Sequence, residues 1–169
     1  MDPLRYLHGY PPELLQQVQQ LLAEHRVLPL LAQRYPDQHD VRSDRALYDY
    51  VNEHKRQYLR HAGPLARVAY DSKLHVVHRA LGIQTTAQRV QGKNLRTKRE
   101  IRVASVFQEA PAAFLRMIVV HELAHLKERD HDQAFYALCT HMEPDYHQLE
   151  FDVRLWLCAR EKATADDRR

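Results

Sequence analysis

Residues 114–136 have the sequence FLRMIVVHELAHLKERDHDQAFY, and the segment HELAH within it covers residues 121–125. On a helix, side chains four residues apart lie one above the other, with about 5–6 Å between their β-carbons. The imidazoles of His121 and His125 can therefore point at one zinc ion. Glu122 lies one step round the helix, where it can accept a proton from a metal-bound water. The stretch predicts the active-site helix of a metal-dependent hydrolase.

The residues immediately before this motif, Ile118-Val119-Val120, make the helix strongly apolar. The two histidines are therefore predicted to lie at a buried wall rather than on a solvated face. A buried imidazole without a partner is costly, which favours a metal site. Hydrogen-bonded structural histidines are the alternative interpretation.

A catalytic zinc ion usually has three protein ligands, and His131 is the leading third candidate. If the helix continued, His131 would lie six residues after His125, at a rotation of about 600° around the helix axis. Its side chain would then point away from the metal. We therefore expect the helix to end near residues 128–129 and the chain to turn at Asp130. Asp130 and Gln133 have the spacing of a capping box, which would put His131 in the first turn of the next helix. The competing third ligands are Glu128, Asp132, His141, Glu143 and Glu150.

The composition predicts a single domain over residues 1–169 with a sizeable core. A formal charge of +3 is too small to indicate nucleic-acid binding, and two cysteines imply no disulfide framework. The first residues lack the basic and apolar regions of a signal peptide, and no apolar run is long enough for a membrane span. We therefore expect a cytoplasmic protein with no nucleic-acid or membrane partner.

The hydrophobic and proline patterns divide this domain into three parts. Residues 1–62 are predicted to be helical, with one helix starting at Pro11-Pro12 and a short one around Leu30–Arg34. A third helix is predicted to begin after Ser43 and to end at Gly63-Pro64.

Residues 65–107 are predicted to hold a small sheet, and residues 111–162 the metal-binding and C-terminal helices. Leu65–Tyr70, Ile83–Val90 and Ile101–Phe107 have strand patterns. The metal-binding helix should open at Pro111, a second helix should end near residue 141, and residues from Ala163 onward should be frayed.

A basic run precedes the metal-binding helix, with only Glu100 opposing its charge. One interpretation is a solvated hairpin whose charges discourage edge pairing. The other is an anion or substrate site beside the metal, because guanidinium groups match phosphate oxygens. The residues concerned are Arg89, Lys93, Arg96, Lys98, Arg99 and Arg102.

These segments resemble the bacterial YgjP family. The resemblance rests on RVQGKNLRTKREIRVASVF and on the long stretch APAAFLRMIVVHELAHLKERDHDQAFYALCTHMEPDYHQLEFDVRLWL, with LHGYPPELLQQV, RYPDQHD and RALYDY nearer the N-terminus. More distantly, HELAHLKERDH is similar to the sites of SprT-like and WLM-type zinc metallopeptidases, which also have a third histidine six residues after the second.

The resemblance implies an α+β, zincin-like minimal metallopeptidase fold. In this fold a small β-sheet packs on the HExxH helix, with extra N- and C-terminal helices here. It also implies that His121, His125 and His131 bind the metal and that Glu122 is the base. YgjP-type proteins are associated with nucleotide pyrophosphatase activity towards UTP, which the resemblance makes a possibility for this chain.

Three functional hypotheses follow from the sequence. In the first two, a zinc-activated water attacks either a peptide bond or a nucleoside triphosphate, which a UTP pyrophosphatase would split into the monophosphate and diphosphate. The peptide would pair with the edge of Ile101–Phe107, whereas the triphosphate would contact the basic run. The third hypothesis is a non-catalytic metal-binding domain, which the presence of Glu122 disfavours. Other divalent metals such as nickel, cobalt or manganese suit the same imidazoles.

Overall fold

A computed structural model describes residues 2–74 and 99–168, which contain six α-helices, two β-strands and two short 3-10 helices. The helices are α1 (Pro12–Ala23), α2 (Val27–Arg34), α3 (Asp44–Tyr58), α4 (Ala112–Ala124), α5 (Gln133–Met142) and α6 (Tyr146–Asp166). The strands are β1 (Arg67–Asp71) and β2 (Glu100–Ala104), and the 3-10 helices are Arg5–Leu7 and Ser105–Glu109.

The strands β1 and β2 form a parallel pair, with Val68 opposite Ile101 and Tyr70 opposite Val103. Ile101 and Val103 are buried, while Arg102 between them is exposed, so β2 has one face in the core. This small sheet beside several helices confirms the predicted α+β, zincin-like fold class.

The helix α4 lies in the centre of the apolar core. It packs against β2, α3, α5 and α6, and nine of its thirteen residues are buried. The helix carries apolar side chains on most of its faces, so packing it among other elements is more favourable than exposing it to water. The helix that carries the predicted metal ligands is therefore held from several directions.

The N-terminal helices follow the predicted pattern with two changes of boundary. The Ser43 hydroxyl accepts a hydrogen bond from the backbone N–H of Ala46 at 3.1 Å, which confirms Ser43 as the cap of α3. The helix α2 begins at Val27 rather than near Leu30, because Pro29 falls in its first turn, where proline is tolerated. The helix α3 ends at Tyr58, before the predicted Gly-Pro stop.

The predicted strand Ile101–Phe107 is wrong in its second half. Hydrogen bonding of β2 ends at Ala104, and Ser105–Glu109 form a 3-10 helix. The fully buried Phe107 packs against the indole of Trp156, and its carbonyl accepts a hydrogen bond from His39 at 2.9 Å. This tertiary packing outweighs the local strand pattern. The predicted strand Ile83–Val90 lies outside the described residues.

The start of α5 differs from the predicted capping box. The cap is Asp132, whose carboxylate accepts a hydrogen bond from the backbone N–H of Phe135 at 3.0 Å. His131 therefore precedes the helix instead of lying in its first turn, and Asp130 is not the cap. At the other end of the chain α6 continues to Asp166, so the predicted fraying from Ala163 is also wrong.

A buried carboxylate joins α6 to α2. Asp152 is only 1% exposed and accepts hydrogen bonds from the Tyr35 hydroxyl, from Arg34 Nη1 at 3.2 Å and from Gln148 Nε2 at 3.1 Å. A buried carboxylate needs such donors because desolvation penalises the bare charge. The contact holds the N-terminal helices against the last helix.

We expect Asp152→Ala to lower the free energy of unfolding by about 1–3 kcal/mol, because the Tyr35 hydroxyl loses its partner. Urea unfolding followed by circular dichroism measures this change. The control is Asp49→Ala, which removes an exposed ion pair with Arg45 and should change stability by less than about 0.5 kcal/mol. Equal effects of the two substitutions would contradict the importance of the buried carboxylate.

In the described ranges, no helix combines the length and apolar character that a membrane crossing requires. The boundaries proposed for the three parts of the domain remain predictions. One cluster of buried apolar residues includes side chains from all three parts.

Candidate metal centre

The three histidines of the predicted site converge in the structure. His121 Nε2 lies 3.2 Å from His125 Nε2 and 3.3 Å from His131 Nε2, and the last two atoms are 3.1 Å apart. Within the described residues these side chains form the one group of histidine, cysteine or acidic residues arranged to hold a metal ion. The turn after α4 therefore returns His131 to the other two imidazoles, and the role of the three side chains as metal ligands stays a prediction.

The first residues after α4 fix the orientation of His125. The helix ends at Ala124, four to five residues before the predicted end near residues 128–129, and backbone hydrogen bonds from residues 127 and 128 to the Ala124 carbonyl continue the turn. The His125 Nδ1 atom donates a hydrogen bond to the Glu128 carbonyl at 3.0 Å. Since a carbonyl can only accept, Nδ1 carries the proton and the lone pair of Nε2 faces the centre.

His121 is almost completely buried and has a different partner. Its Nδ1 atom lies 2.8 Å from the hydroxyl of Tyr146, the fully buried first residue of α6. Burial lowers the pKa of His121 well below its usual value, with further lowering by the neighbouring His125 and His131. Burial also lowers the pKa values of His125 and His131, so all three imidazoles are neutral near pH 7.

This arrangement fits a transition-metal cation. A tetrahedral ion about 2.0–2.1 Å from each nitrogen separates its ligand atoms by roughly 3.3–3.4 Å, close to the observed distances. Nitrogen lone pairs that face one another repel unless a cation or proton lies between them. Three imidazoles without a thiolate or carboxylate suit zinc, and also copper, iron or nickel. The residues therefore could hold a metal cofactor, and the identity of the metal is not set by the donors.

Phe135 supports all three imidazoles from one side. Its ring centre lies 5.0 Å from that of His121, 4.6 Å from that of His125 and 4.8 Å from that of His131. The side chain is fully buried, so it restricts the rotation of each histidine ring. The sequence indicates Phe135 only as a packing residue of α5, because nothing in its spacing shows which rings it contacts.

Glu122 lies beside this cluster, on the residue after His121. Its side chain keeps some exposure to solvent, yet desolvation by the surrounding protein raises its pKa to about 8. A nearby cation would favour the charged carboxylate and oppose this rise. Among the described residues, none is hydrogen-bonded or ion-paired with this carboxyl group, so it is available to a water molecule. With a cation bound beside it, the carboxyl group would be charged and could serve as a general base near neutral pH.

Two acidic residues that compete with His131 as the third ligand are paired with arginines instead. Glu143 is buried and accepts a hydrogen bond from Arg116 Nε at 2.6 Å. Glu150 is also buried and accepts one from Arg154 Nη2 at 2.8 Å. Each carboxylate is neutralised by an arginine, which leaves it a poorer metal ligand.

The remaining alternatives also have other roles. Asp132 caps α5, and the ring of His141 packs edge-on against Tyr58 with 5.8 Å between the ring centres. Glu128 contributes its backbone carbonyl to the hydrogen bond with His125. None of these side chains joins the histidine group described above.

Only part of the predicted basic substrate site can be located. Arg89, Lys93, Arg96 and Lys98 lie outside the described residues. Arg102 points away from the buried face of β2, with Nη1 3.3 Å from Asp71 and Nε 3.5 Å from Glu100. Two acidic partners therefore already engage Arg102, although Glu100 also pairs with Arg67. A role of the basic run in substrate binding remains a prediction.

Comparisons with known proteins find a matching family and a similar protein. Residues 13–154 match the model of the family described as YgjP-like, metallopeptidase domain. The chain is similar to a protein of Escherichia coli (strain K12) named UTP pyrophosphatase, with 59% identity over 157 residues. That alignment covers 93% of this chain and 94% of the relative. No solved structure gives a significant match to the chain.

Proposed function

Since the chain belongs to the YgjP-like family of metallopeptidase-domain proteins, we propose that it hydrolyses UTP at a zinc ion held by His121, His125 and His131. The family and the relative support a metal-dependent hydrolase, which sets aside the non-catalytic hypothesis. The convergence of three neutral imidazoles beside Glu122 carries the proposal for the site. The name of the similar protein supports the choice of UTP over a peptide.

The chemistry requires one base and one activated water. A bound zinc ion would polarise a phosphoryl oxygen and lower the pKa of its water towards about 7. Glu122 accepts the proton of the water as the oxygen attacks phosphorus. The bond between the α-phosphorus and the oxygen that bridges the α- and β-phosphates breaks, and UMP and diphosphate leave. Phe135 contacts all three rings, and the Nδ1 partners of His121 and His125 hold those two imidazoles in place, so that the histidine side chains move little during the reaction.

Incubation of the purified, zinc-loaded protein with UTP tests this proposal. We expect UMP and diphosphate in equal amounts, detected by phosphorus NMR and anion-exchange chromatography. The other nucleoside triphosphates measure selectivity, and addition of a chelator should stop turnover. Absence of UTP hydrolysis by metal-loaded protein would overturn the proposed substrate.

A peptide substrate is the second candidate, and one structural feature favours it. In the part of the chain that the structure describes, β2 pairs with β1 on one side only. An extended peptide could pair with the other edge of β2 and approach the metal centre. Casein-like substrates assayed in parallel distinguish the candidates, since peptide cleavage without UTP hydrolysis would reverse our choice.

The basic run gives a prediction about the triphosphate. If these residues bind phosphate, the combined substitutions Arg96→Gln and Arg99→Gln should raise the KM for UTP by about tenfold or more, because hydrogen bonds to charged groups contribute about 1.5–3 kcal/mol. Steady-state kinetics measures the change. The matched control is Arg102→Gln, which should raise KM less than threefold because Asp71 and Glu100 already engage this guanidinium. An unchanged KM in the double variant would contradict phosphate binding by the run.

Zinc, the cytoplasmic location and the absence of nucleic-acid and membrane partners stay predictions. Elemental analysis of the protein purified from its host identifies the metal. Exchange with cobalt, nickel and manganese then shows which ions support turnover.

A further inference from the structure

The hydroxyl group of Tyr146 is the partner of His121, the most deeply buried of the three converging imidazoles. It lies 2.8 Å from His121 Nδ1, and both side chains are at most 1% exposed. Tyr146 comes from α6, whereas His121 comes from α4, so the contact crosses the core between two packed helices. With this little exposure, bulk water cannot replace the phenol as the partner of Nδ1.

The tautomer of His121 decides whether the site can take a cation. A neutral imidazole has one N–H and one lone pair. If Nδ1 carries the proton, the lone pair of Nε2 faces His125 and His131 and can bind a metal. If Nε2 carries the proton, the N–H points into the same space and prevents binding. The hydrogen bond at Nδ1 selects between these states.

A tyrosine hydroxyl can either accept from Nδ1 or donate to it, unlike the carbonyl group that faces His125. The direction of the hydrogen bond between Tyr146 and His121 depends on which acceptor the phenolic proton faces. Cys139, a fully buried thiol on α5, interacts electrostatically with the Tyr146 hydroxyl. When the phenol donates to the Cys139 sulfur, its oxygen is left to accept from His121 Nδ1. The Cys139 sulfur is the neighbouring acceptor that such an arrangement would use.

We propose that Tyr146 is a positioning residue that holds His121 in its Nδ1–H tautomer, with Cys139 accepting the phenolic proton in a hydrogen bond. The inference rests on the proposed function, because it takes the three imidazoles as metal ligands. Residues from three helices therefore prepare the Nε2 lone pair before a metal arrives. Hydrogen-bond partners of metal-binding histidines typically change metal affinity by about 10–100-fold.

The substitution Tyr146→Phe keeps the ring and removes only the hydroxyl. Competition with a chromophoric chelator measures zinc affinity, and we expect about a 10–100-fold loss. Long-range proton–nitrogen NMR of the metal-free protein reports the tautomer of His121 directly. We expect Nδ1–H in the wild type and a substantial Nε2–H population in the variant. A purely structural role for Tyr146 would not shift this tautomer.

Two further variants complete the experiment. Cys139→Val removes the acceptor at similar side-chain volume, and it should shift the same tautomer and weaken zinc binding by a smaller factor. Tyr50→Phe is the matched control, since it removes a partly buried phenol oxygen from α3 and should leave affinity within twofold.

The outcomes separate this inference from the proposed function. Wild-type affinity with unchanged Nδ1–H in Tyr146→Phe would overturn the role of Tyr146 while leaving the metal site intact. If the wild type itself binds no zinc through these imidazoles, the inference and the metal-dependent function fail together. If Tyr146→Phe does not fold, the NMR spectrum of Cys139→Val decides, because an unchanged tautomer there would overturn the proposed hydrogen-bond chain.

Discussion

Glu122→Gln should reduce the kcat for UTP hydrolysis by about 10²–10⁴-fold, the usual contribution of a general base. The amide has nearly the shape of the carboxylate but cannot accept a proton from water. Because the three imidazoles are untouched, zinc content should stay at the wild-type level. Stopped assays of diphosphate release and elemental analysis of the same samples measure both quantities.

This pair of measurements separates catalysis from metal binding. Loss of turnover together with loss of zinc would mean that Glu122 supports the site rather than the reaction. Retention of turnover would remove the carboxylate from the mechanism. A useful control is Glu53→Gln, an exposed carboxylate on α3 that pairs with Arg56, which should leave both values unchanged.

His131→Ala should weaken zinc binding by more than about 100-fold, since even the loss of an outer hydrogen-bond partner lowers affinity by about 10–100-fold. Turnover at sub-saturating zinc should fall in parallel. The wild type should gain about 2.7 kcal/mol of stability when free zinc reaches a hundred times its Kd. For a chain of this size that gain raises Tm by roughly 5–10 °C, and the variant should show little of it.

The control for this experiment is His141→Ala. His141 is another histidine on the C-terminal side of the motif, but its ring packs against Tyr58 rather than the metal centre. Its removal should leave the zinc-dependent rise in Tm unchanged. Equal zinc affinities for His131→Ala and the wild type would show that a different residue supplies the third ligand.

The convergence of His121, His125 and His131 can be predicted from the sequence because it depends on local spacing. A four-residue separation places His121 and His125 on one helix face, and a continued helix would carry His131 away. The details of the turn were harder to predict. Both Asp130 and Asp132 can cap a helix, and the choice depends on which backbone N–H groups the fold leaves unpaired.

The residues that support the histidines could not be identified from spacing. Tyr146 lies 25 positions after His121, and its hydroxyl reaches Nδ1 only because α6 packs on α4. The one local signal was a polar hydroxyl on the apolar face of the last helix. Similarly, Arg102 belongs to a basic run in the sequence, but the parallel strand beside it supplies Asp71 as a partner. Such pairings depend on topology, which a linear pattern does not contain.

The last helix, α6, links parts of the chain that should unfold together. Near its beginning α6 contacts His121 through Tyr146, and further along it binds the N-terminal helices through Asp152 and the first residues through Glu161. Backbone amides in α2 and α4 should therefore exchange with solvent deuterium as one cooperative unit rather than independently. A cation bound by the imidazoles would slow exchange in the N-terminal helices as well, although none of their residues belongs to the histidine cluster.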